Sequence, residues 1–147
     1  MLFGDDNSNA AIIAAIGVAF PGLTEVYKQN VGGSEEGSAA GWYTTTFTDA
    51  APHSGTVVHD LGDPIITGAQ KYFLLKDGNA SPNWLLFDIS TWDGLDTIEF
   101  NDFFPTHSIS HVSIFAGGTP TVPDGGLTVA LLGIALGGLA FLRRKLG

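Results

Sequence analysis

Hydrophobic and hydroxyl-bearing positions alternate through Trp42-Tyr43-Thr44-Thr45-Thr46-Phe47, the two-residue period of a strand with one covered face. Two other runs, Tyr72-Phe73-Leu74-Leu75 and Trp84-Leu85-Leu86-Phe87, show no alternation. Four large apolar residues in a row predict central strands covered on both faces. Asp77-Gly78-Asn79 lies between these runs and predicts a hairpin-like connection. Further strands are expected near 24–29, 55–59, 97–100 and 111–115, with turn residues gathered at 32–34, 49–55, 92–94 and 101–108. This spacing of short extended runs predicts an all-β fold, an antiparallel β-sandwich of jelly-roll-like form.

Two segments break the two-residue period. Ile12, Ile13, Ile16 and Phe20 recur at helical spacing, with Asn9 as the expected N-cap and Pro21-Gly22 as the stop, so a short helix is expected over about 9–20. The second segment is the tail. Leu127 to Leu142 is sixteen residues without a charge, apolar on every side, and it ends in Arg143-Arg144-Lys145. As a helix it spans roughly 24 Å, close to the thickness of a membrane's hydrocarbon layer once the terminal cations reach the headgroups. A C-terminal transmembrane helix is therefore expected over 127–142. Arg143, Arg144 and Lys145 keep the C-terminus cytoplasmic and leave the preceding chain on the other side.

Charge reinforces this division. The chain carries six Lys and Arg against fifteen Asp and Glu, a net charge of −9. Before residue 122 only Lys28, Lys71 and Lys76 face fourteen acids, a net of −11. Such a body repels phosphate backbones, which argues against a nucleic-acid partner. The absence of cysteine excludes disulfides, thiol catalysis and thiolate metal sites. One domain over 1–118, a linker over 119–121 and a tail over 122–147 is the expected organisation. No cation-led signal peptide precedes the helix, so a truncated or mis-started N-terminus, with a signal peptide and a first strand missing, is the expectation.

The tail has three parts in fixed order: the turn Val122-Pro123-Asp124-Gly125-Gly126, the apolar run and the basic end at 143–147. In this it resembles the C-terminal sorting signal of PEP-CTERM proteins, and among them the Val-Pro-Asp-Ser-Gly variant, with Gly125 in place of the usual serine. Lys76-Asp77-Gly78-Asn79, Trp84-Leu85-Leu86-Phe87-Asp88 and the closing Ile109-Ser110-His111 strand are similar to body segments of the same proteins. The resemblance implies sorting and cleavage near Pro123-Asp124-Gly125 by an exosortase in an exopolysaccharide-producing Gram-negative bacterium. It implies an inner-membrane stage, with membrane lipid as a partner, followed by release to the cell surface or outside. An exopolysaccharide is then a candidate partner of the mature protein.

No catalytic signature stands out, and a non-enzymatic protein is expected. His107 and His111 are four residues apart in a loop-to-strand segment, outside a helix, and are expected to be structural, with His111 bonding neighbouring backbone. No metal site or cofactor is expected. The acidic turns at 60–63, 77–79 and 93–102 are the alternative, as oxygen ligands for calcium. Glu35-Glu36, in a Gly/Ser/Ala-rich stretch, is expected to be a solubility feature. Trp42, Trp84 and Trp92 are expected in the core. Their alternative is a sugar-stacking platform on a carbohydrate-binding module, and a hydrolase is the weaker rival.

Overall fold

The computed structural model describes residues 1–117. Its elements are β1 (Leu2–Gly4), α1 (Asn9–Ala19), β2 (Leu23–Asn30), β3 (Glu35–Glu36), β4 (Tyr43–Phe47), β5 (Ser54–His59), β6 (Gln70–Asp77), β7 (Trp84–Asp88), β8 (Ile98–Asn101) and β9 (Ile109–Gly117). All pairings are antiparallel. A six-stranded sheet has the order β1-β7-β6-β9-β2-β3, and a three-stranded sheet the order β4-β5-β8. The seven strands expected from sequence all form, and β6 and β7 are joined through Asp77-Gly78-Asn79 as an antiparallel pair. Of the described helices none is long and apolar enough to cross a membrane. The expected transmembrane helix, 127–142, lies outside the described residues, as do the linker 119–121 and the rest of the tail.

The core has two compartments. Alternate residues of β6, Phe73 and Leu75, join Leu85, Val112 and Ile114 in facing Tyr43, Val57 and Phe100 of the small sheet. Their neighbours Tyr72 and Leu74 join Trp84, Leu86 and Phe115 in facing Ile12 and Ile16 of α1. This is why the two solid apolar runs show no alternation: the sheet is covered by α1 on one side and by the small sheet on the other. The strands divide six and three, where a jelly roll pairs two equal Greek-key sheets. Trp84, Leu85 and Leu86 are buried as expected, but Phe87 is only half-buried, its ring resting 4.9 Å from that of Phe103.

α1 forms close to its predicted limits. Its N-cap is Ser8 in place of Asn9: the Ser8 hydroxyl accepts from the Ala11 N–H at 3.2 Å. Asn9, the first helical residue, donates instead to the Glu25 carboxylate at 3.2 Å. That contact ties the start of the helix to β2 and places a negative charge beside the helix N-terminus, where the macrodipole favours it.

A bulge in β2 decides which side chains enter which compartment. The register with β9 shifts between Glu25 and Tyr27. Glu25 therefore stays on the helix side, while Tyr27 turns into the core shared by the sheets. There the fully buried Tyr27 hydroxyl lies 2.7 Å from Thr45 Oγ1 and bonds Glu35 at 3.2 Å and the Tyr43 carbonyl at 3.3 Å. The Tyr43 ring packs edge-on against that of Tyr27, the centroids 5.8 Å apart. The Tyr43 hydroxyl donates to the Gly94 carbonyl at 3.0 Å and accepts from the Ile66 N–H at 2.8 Å. Burial raises both phenol pKa values and keeps both hydroxyls protonated. Tyr43→Phe is expected to leave two buried backbone groups unpaired and to cost about 1–3 kcal/mol, read from the shift in denaturant midpoint at unchanged slope.

Candidate functional site

The chemistry-bearing residues of the body fall in separate places. His107 is exposed in the β8–β9 loop, whereas His111 is buried at 7% exposure on the helix side of β9. His53 Nδ1 lies 2.9 Å from the Phe104 carbonyl, and His59 Nε2 lies 3.1 Å from that of Asp63. Among the described residues no three of His, Asp and Glu gather in a metal-binding group. The backbone bonding expected of His111 is absent: its Nδ1 is 3.5 Å from the Ser110 hydroxyl, and its buried Nε2 has no partner. Burial first, then Lys28 and Lys76, lower its pKa to about 4, with Glu36 opposing.

The acidic turns at 77–79 and 93–102 each use a carboxylate locally, whereas Asp60 of the third accepts from the Thr44 hydroxyl at 2.9 Å. Asp77 Oδ1 accepts from the N–H groups of Asn79 and Ala80, and Asp93 Oδ1 from those of Leu95 and Asp96. These are Asx-type turns, the ordinary use of Asp in such loops. The same bonds lower the Asp93 pKa, and bonds from Ser90 lower that of Asp88.

Glu35 and Glu36 are more than the solubility feature expected of them. They form β3, paired with Lys28 and Gln29 of β2. Glu35 accepts from the Gly41 N–H at 2.7 Å as well as from Tyr27, and Glu36 accepts from Asn30 at 2.7 Å and pairs with Lys28 at 3.3 Å. The hydrogen bond from Lys28, then its charge, lowers the Glu36 pKa. The signal for this role was present in the two glycines at 32–33, which allow the chain to return beside β2.

The tryptophans do not share a surface. Trp84 is 2% exposed under α1, while Trp42 and Trp92 are half-buried against the core on the other side of the large sheet. A cleft of about 240 Å³ opens between the β6–β7 and β8–β9 loops, lined by Pro82, Leu85, Phe103, Pro105 and His107. No carboxylate lines it.

β9 closes the described body at Gly117 and leads towards the tail. Residues 121–146 match the family model described as the VPDSG-CTERM motif. The recognition drawn from the turn, the apolar run and the basic end stands. The VPDSG-CTERM motif marks a C-terminal sorting signal of an exported protein. It spans Val122, Pro123, Asp124, Gly125 and Gly126, and also Arg143, Arg144 and Lys145, all of which lie outside the described residues. No curated protein and no solved structure matches the chain.

Proposed function

We propose that this is a non-enzymatic protein of the cell surface or extracellular matrix, sorted through its tail and cleaved there by an exosortase in an exopolysaccharide-producing Gram-negative bacterium. The observation that carries the reading is the VPDSG-CTERM match over residues 121–146. The tail chemistry fits a temporary anchor. Pro123 and the glycines that follow disfavour regular structure at the cleavage region, the run 127–142 is apolar throughout, and Arg143, Arg144 and Lys145 hold the end on the cytoplasmic side. Lipid is the partner before cleavage, and an exopolysaccharide the candidate partner after it.

The non-enzymatic reading is supported by how the body uses its polar groups. Asp77 and Asp93 bind their own turns, Glu35 and Glu36 fix β3, and the cleft beside Phe103 is lined without an acid. The carbohydrate-binding alternative loses its strongest motive because Trp84 faces α1 while Trp42 and Trp92 lie on the other side.

Mass spectrometry of the protein recovered from cells with and without an exosortase tests the proposal. The mature form is expected to lack residues after about 126 only where the enzyme is present. A mature protein that retains Arg143 in exosortase-positive cells sinks the cleavage reading.

A further inference from the structure

The helix-covered face of the large sheet is apolar at one end and polar at the other. One row of paired residues runs Leu2, Leu86, Leu74, Ser113, Lys28, Glu36 across all six strands. The next runs Gly4, Trp84, Lys76, His111, Asn30. Two of the three lysines that precede the tail thus flank His111, one on each neighbouring strand. Lys76 is 4% exposed and donates to the Asp77 carbonyl, and Ser113 is fully buried with an unpartnered hydroxyl.

We propose that His111, held between Lys28 and Lys76, makes the helix-covered face acid-sensitive: protonation of the imidazole sets three cations side by side beneath this layer and loosens α1 from the sheet. The surroundings offer little to balance the new charge. α1 contains no titratable side chain, Glu25 of β2 lies two rows away beside Phe115 and accepts from Asn9, and β1 and β7 present Gly4 and Trp84 in this row. Glu36 of β3 is already paired with Lys28. Asp77 Oδ1 binds the turn at Asn79 and Ala80, its buried Oδ2 has no hydrogen-bond partner and its charge acts on Lys76, while Asp5 and Asp6 of the β1–α1 link are exposed. Beyond these, the strand's own neighbours are the hydroxyls of Ser110 and Ser113.

The sign follows from the His111 pKa, about 4 in the folded protein against 6.5 when released. The open state binds more protons between these values, so opening becomes easier as pH falls from about 6.5 towards 4 and gains nothing further below. Between about pH 7 and pH 4.5 the two values correspond to about a 60-fold increase in the opening constant.

Hydrogen exchange of the full-length chain in mild detergent, corrected for the intrinsic pH dependence of exchange, tests this. Peptides from 9–19 are expected to lose protection by about 60-fold at the lower pH, while those from 43–59 lose much less. His111→Asn, which removes the titration, is expected to abolish the difference. Equal loss in both regions, no loss in α1, or an undiminished loss in a folded His111→Asn chain overturns the proposal. An NMR titration of the wild-type imidazole stands independently of any variant: a midpoint near 4 supports the device, and one at 6.5 or above overturns it.

Discussion

Trp84→Ala is expected to cost about 3–5 kcal/mol, a large share of the roughly 5–15 kcal/mol that holds a domain together. The indole is 2% exposed and sits among Ile12, Ile16, Leu74 and Leu86 between α1 and the large sheet. It also lies across Gly4: a Cβ added there would meet the ring at 2.7 Å. Truncation therefore opens a cavity that neither the helix nor β1 can fill without shifting. Denaturant melts of the full-length chain in mild detergent measure the loss. Trp42→Ala, which removes a half-buried ring, is expected to cost less. A Trp84→Ala chain within about 0.5 kcal/mol of the parent, the range of surface substitutions, would mean an exposed indole and would restore the sugar-platform reading.

Gly37→Ala is expected to destabilise by about 2–5 kcal/mol, through backbone strain and overpacking together. Gly37 has φ +101°, a conformation that residues with a side chain rarely adopt. Its missing Cβ would also fall on the Val26 carbonyl, whose carbon lies 2.8 Å from that position. Val26 is the bulge residue, and its oxygen is engaged by the Ala39 N–H at 2.8 Å, so the backbone there has little freedom to retreat. Gly78→Ala is the control: nothing lies within 4 Å of its added Cβ, and its φ is not in the left-handed range. That change is expected to be neutral or to stabilise by up to about 1 kcal/mol. Equal midpoints for the two variants would show that the approach to Val26 is slack.

The elements of the fold were legible because local pattern encodes them. Solid apolar runs produced β6 and β7, alternation produced β4, and helical spacing of isoleucines produced α1. The sorting tail was legible for a different reason: it is addressed as a linear signal, so turn, apolar run and basic end are read in order along the chain. Other features depend on which residues a reversal of the chain brings together, even over six to eight positions. Nothing local in Glu35-Glu36 specifies that Tyr27, Gly41, Lys28 and Asn30 will converge on it.

Local pattern alone was enough for seven of the nine described strands, the short helix, the hairpin between β6 and β7, and the exported character written in the tail, but not for β1 or β3. Only the tertiary structure decided that the sheets divide six and three, and that α1 occupies the outer face of the larger one. It also decided that a bulge at Val26 turns Tyr27 inward, and that Lys28 and Lys76 arrive beside His111 from strands far apart in the chain. Periodicity reports whether a position is covered. It carries no information about which element covers it, because apolar burial is non-directional and the partner is selected by strand register and packing over the whole domain.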